Sequence, residues 1–297
     1  MSFEVDKALV QTYRSNIEIK FQQKGSRLRP FVRVERQNAE FDFYDRITSV
    51  EAVEITTRHG DTPLISTPHD RRRVALRDFD WADLIDRKDK IRMIADPTSP
   101  YVTNAVYALG RKMDAIIVEA AFGTAFTGKT GATSVTFAAG SEIAVDYVET
   151  GAATNSNLTT AKLRRARYLL DKAEVTTDSE FDLILVVDPS QVQALLRDDQ
   201  LTSSDYNTVK ALVNGEIDTW MGFKFVKYNF LPKTGNIREA IAYERDGLLL
   251  AVADEIMVDV GPRRDKRNSV QTYVCGSFGA SRMWEEKVLR IKADETA

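Results

Sequence analysis

The chain has 297 residues, of which 43% are hydrophobic and 29% charged, and its formal net charge is −3. That mix suits a soluble globular protein with a core of useful size, and the near-neutral balance excludes nucleic-acid binding driven by whole-chain charge. One cysteine, Cys275, excludes an internal disulfide and a cysteine-based metal cage, and fits a reducing compartment. The opening MSFEVDKALVQTYRSNIEIK has no apolar core after a basic start, and no apolar run reaches the roughly 20 residues that span a bilayer. A soluble, intracellular product is expected.

Residues 5–22 read as a helix, with Leu9, Tyr13, Ile17 and Phe21 on one stripe. Residues 11–36 carry seven basic side chains against Glu18 and Glu35, and with Gly25 and Pro30 they predict an extended arm, not a packed element. Over residues 41–86, Val53 and Ile55, then Val74, Leu76 and Phe79, alternate with polar neighbours. This predicts two half-exposed strands joined by a Gly/Pro/Thr turn region. Such a pair is too thin to be stable alone.

The clearest helix follows. Asp96-Pro97 and Ser99-Pro100 each pair an N-cap residue with a proline at the first helical position. Val102, Ala105, Val106, Leu109, Met113, Ile116, Ile117 and Ala120 form one apolar face. From Pro100 to Phe122 the helix is roughly 35 Å long, and Gly123 suits a left-handed position at its end. VTFAAGSEIAVDYV reads as strands with turns. Thr159 or Thr160 caps a helix bearing Leu163, Ala166, Leu170 and Ala173. FDLILVV is a buried strand, broken by Asp188-Pro189, which starts another helix. A polar loop, RDDQLTSSDYN, precedes a turn at Asn214-Gly215 and a strand near Phe223–Tyr228. Strands recur to the end around a basic loop, GPRRDKRN. The mixture is α+β without an alternating βαβ train.

GTAFTGKT, residues 123–130, matches the phosphate-binding pattern G-x-x-x-x-G-K-[ST], and LILVVD, residues 183–188, resembles its partner strand with a terminal carboxylate. A phosphate loop needs a strand before the glycines and a helix N-terminus after them. Here a helix precedes and a strand-like GATSVTF follows. The glycines therefore read as a turn, Lys129 as solvated, and Asp188 as a helix cap. His59 and His69 fall in the exposed strand-pair region, and Cys275 reads as a small core residue of an alternating strand. HDRRRVALRD reads as a solvated or intersubunit face, since Asp70, Asp78 and Asp80 offset its arginines. No catalytic, cofactor-binding or metal-binding residue is assigned.

Four segments carry a family resemblance: RHGDTPLISTPHDRRRVALRDFDWADLIDRKDK, YVTNAVYALGRKMDAIIVEAAFGTAFTGKTG, LVVDPSQVQALL and VNGEIDTWMGFKFVKYNFLP. Together with the element order, they resemble tailed-bacteriophage major capsid proteins of the Hong Kong 97 fold. The resemblance implies an N-terminal arm (1–40), an E-loop (41–90), a P-domain (91–176, spine helix about 100–122) and an A-domain (177–250). Strands 251–297 would return to the P-domain. It further implies hexamers and pentamers that close an icosahedral shell around double-stranded phage DNA, assembled in the host cytoplasm. A separate scaffolding protein and possible decoration protein would assist, with no cofactor and no membrane. An encapsulin-type shell is the alternative within that fold, and a nucleotide-binding enzyme the alternative outside it. Candidate intersubunit contacts are Arg27, Arg29, Arg33, Arg58, Asp61, Arg71, Arg72, Arg73, Asp198, Asp199, Arg263 and Arg264. Replacing residues 58–73 by a flexible linker is expected to leave a folded subunit that cannot close shells.

Overall fold

The computed structural model describes residues 22–54, 56, 58, 60–62, 64–86, 98–175, 183–197 and 219–296. The helix expected over residues 5–22 lies outside them except for Gln22. So do Ile55, His59, the Asp96-Pro97 cap, Asp198 and Asp199 in the polar loop, and the Asn214-Gly215 turn.

In chain order the described residues form β1 (Arg33–Arg36), β2 (Phe41–Ile47), β3 (His69–Ala75), β4 (Arg77–Ile85) and the helix α1 (Thr98–Phe122). Next come β5 (Ala125–Thr127), β6 (Thr133–Val135), β7 (Glu142–Ile143), α2 (Thr160–Lys172), β8 (Leu183–Val187) and α3 (Pro189–Leu196). The remainder is strand: β9 (Thr219–Trp220), β10 (Phe223–Lys227), β11 (Lys233–Thr234), β12 (Ile237–Glu244), β13 (Leu248–Arg263), β14 (Ser269–Arg282) and β15 (Val288–Asp294).

The chain divides into two units. One comprises Met1–Ser26, Asp78–Lys112 and Asp254–Ser277; the other comprises Arg27–Arg77, Met113–Ala253 and Phe278–Ala297. In the first, Ala105 and Leu109 of α1 and Val274 of β14 are buried, with Phe79, Trp81, Val106 and Ile256 packed against them. Cys275 is only half-buried, so it is not the core residue expected.

The second unit is organised by β8. All five of its residues are buried, as an uninterrupted apolar run requires when both faces are covered. It pairs parallel with β10 and antiparallel with β12 inside a sheet ordered β7-β15-β12-β8-β10-β9, with β11 added on β12. Leu163, Ala166 and Leu170 of α2 and Val192 and Leu195 of α3 complete its core. Both helix starts form as the sequence indicates. Thr159 accepts the Lys162 N–H, and Asp188 and Gln191 form a reciprocal capping box ahead of Pro189.

Three expectations change. The arm is packed from Arg27 onward: Leu28 and Val32 are buried, and β1 pairs parallel with β13 from Arg33↔Leu249 to Arg36↔Val252. The fully buried Asp114 of α1 accepts the backbone N–H groups of Arg27 (2.9 Å) and Leu28 (3.1 Å). The dense arginines had masked two apolar anchors four residues apart. Val53 lies in no strand; the strands are β2, β3 and a further strand, β4, that follows β3 after one residue. At the helix end Gly123 does not take the left-handed conformation. Its N–H donates to the Glu119 carbonyl (2.8 Å), and a Cβ there would stand 2.7 Å from that same oxygen. Likewise Pro100 is the third helical residue, not the first.

Candidate functional site

β2 and β3 form an antiparallel ribbon from Phe41↔Ala75 to Ile47↔His69, closed by Thr48 N–H donating to the Pro68 carbonyl (3.4 Å). Every described residue from Thr48 to Pro68 is exposed. Several are apolar: Ile47, Val50, Val53, Leu64 and Ile65 are all exposed, Leu64 at 97%. Burying a leucine fully is worth about 1.5–3 kcal/mol, and this chain by itself leaves that gain unrealised.

The root of this ribbon is held by charge. β3 pairs with β5 through Arg72↔Thr127 and Arg73↔Phe126, and β5 pairs with β6, giving a sheet ordered β2-β3-β5-β6. Glu285, in the turn after β14, receives Arg72 Nη2 on Oε1 (2.5 Å) and Arg46 Nη1 on Oε2 (3.4 Å). Arg282 Nε stands 3.9 Å from Oε1. Arg46 also pairs with Asp70 (2.5 Å) and lies over the Trp284 ring. Thr127 Oγ1 is 2.6 Å from both Asp70 carboxylate oxygens and 2.8 Å from the Arg71 carbonyl. Fully buried Arg282 donates Nη1 to the carbonyls of Ala121 (2.9 Å) and Gly123 (3.0 Å), a cationic cap on the C-terminus of α1. A handful of side chains thus ties the ribbon root, β5 and the helix end together.

The electrostatics follow from burial. Desolvation pulls the pKa values of Arg72 and Arg282 down, and Glu285 opposes it in both. Burial pushes the Asp70 carboxyl up, but hydrogen bonds from Thr127 and Arg46 win, and it is held far below the usual carboxylate range. Such buried ion pairs gain little net stability, because desolvation offsets the attraction. They fix register instead, since removing one member strands a buried charge.

The predicted contact residues separate accordingly. Arg58 and Asp61 are exposed on the extension. Arg71 is exposed and pairs with Asp45 across the ribbon (2.7 Å). Arg73 is half-buried, stacked over Phe41 (5.0 Å) and Phe126 (4.8 Å). Arg72 is a correction: its side chain is fully buried on Glu285 and offers nothing to a neighbour. Along a strand, residues two apart share a face, so Arg72 had to follow Val74 inward. Arg27 donates Nη1 to the Lys227 carbonyl (2.9 Å), Arg33 pairs with Glu35, and Arg29 is half-buried in a 3-10 turn. Arg263 forms a two-pronged pair with Asp265, and Arg264 is exposed beside it. Arg46, Asp70, Arg282 and Glu285 were not singled out as site residues; nothing in RMWEEK distinguishes Glu285 from an ordinary surface glutamate.

The GTAFTGKT stretch holds a short strand and a turn. β5 runs into a turn in which Gly131 N–H donates to the Gly128 carbonyl (3.0 Å) and both glycines have positive φ, and β6 follows. Lys129 is exposed at that turn, with no helix N-terminus behind the glycines. His69 is exposed at the start of β3. Among the described residues no cluster of three or more His, Cys, Asp or Glu is placed to hold a metal ion, and no helix is long and apolar enough to cross a membrane.

Solved capsids share this architecture. Cyanophage P-SCSP1u capsid has a TM-score of 0.75 at 13% identity, covering 99% of this chain and 95% of that one. The acid-stable capsid of Helicobacter pylori bacteriophage KHP30 gives 0.75 at 9% identity, covering 99% and 98%. The Ralstonia phage GP4 capsid gives 0.73 at 11%, covering 96% and 95%. At these identities the likeness establishes the fold, the Hong Kong 97-type α+β fold of tailed-phage capsids. No curated protein matches the chain. The phage capsid protein family, however, matches residues 5–295, which favours neither a nucleotide enzyme nor an encapsulin-type shell. With a family match from the fifth residue to the third from last, the chain belongs to the phage capsid proteins.

Proposed function

We propose that this major capsid protein builds its shell as hexamers and pentamers that close an icosahedral head around double-stranded DNA. Its place as a shell-forming subunit of the virion follows from the family. The finer reading rests chiefly on one observation: an exposed, partly apolar extension mounted on a charge-locked root. A two-stranded ribbon with that composition gains stability by lying across a neighbouring copy. Many identical weak contacts then add up to a stable particle. We take residues 1–40 as the N-terminal arm, 41–90 as the E-loop, 91–176 as the P-domain, 177–250 as the A-domain, and 251–297 as strands returning to the P-domain. The protein acts as structural material and not as an enzyme. Scaffolding comes from a separate protein, assembly takes place in the host cytoplasm, and a decoration protein can bind the finished surface. The exposed basic residues Arg27 and Arg33 contact neighbouring subunits, scaffold or DNA.

The experiment is a replacement of the extension. Residues 58–73 are the wrong segment to remove, because they include most of β3 and the buried Arg72. Replacing residues 50–66 by a Gly/Ser linker keeps the ribbon and its Thr48–Pro68 closure. Circular dichroism is expected to show a folded subunit, and electron microscopy with sedimentation to show no closed shells. Normal closed particles would overturn the role of the extension. A persistent monomer from the intact chain, under every salt and scaffold condition, would overturn the assembly reading.

A further inference from the structure

Lys162, in the first turn of α2, is fully buried, and no carboxylate is among its hydrogen-bond partners. Its Nζ is surrounded by four main-chain carbonyl oxygens: Ser156 (2.7 Å), Val145 (2.8 Å), Lys292 (2.9 Å) and Asn157 (3.1 Å). An ammonium has three protons, so four oxygens at these distances exceed its hydrogen-bonding capacity. They resemble instead the shell of carbonyl dipoles that replaces the hydration of a monovalent cation.

The cage closes one loop. Val145 and Ser156 are joined by the Ser156 N–H donating to the Val145 carbonyl (3.1 Å), which pinches off the intervening segment. Ser156 in turn accepts the Asp294 N–H at the end of β15 (3.0 Å), while Glu149–Asn155 stand exposed beyond the pinch. Lys162 therefore joins both ends of the loop to β15 from beneath.

We propose that these four carbonyls form a monovalent-cation site, occupied by the lysine ammonium as a tethered ion, and that this occupancy orders the loop from Val145 to Asn157. The charged groups acting on it are Asp146 from the loop and Asp294 from β15, both favouring the cation. Burial opposes them and lowers the amine to about 8. The proposal does not draw on the capsid role, and its test reads loop protection in the subunit, so the two can fail separately.

The probes are ammonium and potassium ions. Lys162→Ala vacates the cage, and Lys162→Met fills it with an uncharged chain of similar length. Hydrogen exchange at the Ser156 amide is expected to be about tenfold faster or more in both variants. In Lys162→Ala, ammonium or potassium chloride is expected to restore protection and raise the melting temperature, while tetramethylammonium chloride at equal ionic strength does neither. Unchanged exchange in Lys162→Met would overturn the proposal. So would an alanine variant that no small cation restores, including one that stays unfolded with and without the ion.

Discussion

Two sheets of the larger unit hold together by different physics. The seven-stranded sheet around β8 is an apolar layer in which α2, α3 and six strands bury aliphatic and aromatic side chains. The β2-β3-β5-β6 sheet is joined at its root by Arg46, Asp70, Arg72, Thr127 and Glu285, with Arg282 extending the linkage to α1. Apolar contacts are non-directional, so the interior of the first sheet tolerates small shifts, and its ion pairs, such as Arg290 with Glu142 and Glu239, lie outside that apolar layer. Charge-assisted hydrogen bonds are directional, so the second sheet has one allowed geometry and a titratable lock. The second arrangement holds the root of the extension in place at the cost of burying arginines.

The largest expected effect tests this contrast. Glu285→Ala leaves Arg72 and Arg282 buried without their counter-charge, and a loss of about 3–5 kcal/mol is expected. Hydrogen exchange should place the opening in β2, β3 and the last turn of α1, with β8 and β12 protected. An even loss of protection over both sheets would show that they do not differ as argued.

Leu185→Ala, in the centre of β8, should cost about 2–5 kcal/mol through lost burial and a residual cavity. Its effect in urea titrations should be the same at pH 5 and pH 8; a strong pH dependence would mean that the packing of Leu185 is coupled to the sheet's ion pairs.

At the edge of the β8 sheet, Gly222→Val meets a backbone constraint. Met221 and Gly222 both have positive φ, forming the tight turn between β9 and β10. A β-branched residue at φ +80° is strained, and a Cβ would lie 2.7 Å from the Arg167 guanidinium. A loss of about 1–3 kcal/mol is expected, and an unchanged melting temperature would show a permissive turn. The cause is the positive φ of the turn.

Asp70 gives the acid dependence. Its folded carboxyl titrates below its unfolded value near 4, so its contribution is present above that pH and is lost as pH falls through the lower folded value. Asp70→Asn should cost about 1 kcal/mol at neutral pH, discounted for partial exposure, and flatten the acid limb of the stability curve. An acid limb identical to that of the parent would remove Asp70 from the lock.

The smallest effect belongs to Lys129→Ala, expected within about 0.5 kcal/mol because the side chain is solvated at the β5–β6 turn. No saturable Mg-ATP binding is expected before or after the substitution, and calorimetry would check both.

Elements whose signal is local could be read from the chain alone. The apolar run Leu183–Val187, the Thr159 and Asp188 caps and the apolar stripe of α1 were all readable, because a strand, a cap or an amphipathic face is written within a few neighbouring residues. The turn at Gly128 and the strand after it were readable from the flanks of GTAFTGKT, whereas β5 at Ala125–Thr127 was not, because its partner β3, His69–Ala75, lies far earlier in the chain. Which charges face inward depends on contacts between distant parts of the fold. Arg72 and Glu285 are separated by 213 positions, and Arg282 meets Ala121 across 161. No window of sequence contains both members of such a pair, and an arginine with a distant buried partner has the same local signature as one in water. The arm shows the same limit: whether Leu28 and Val32 are anchors depends on α1 and β13, elements fixed far along the chain.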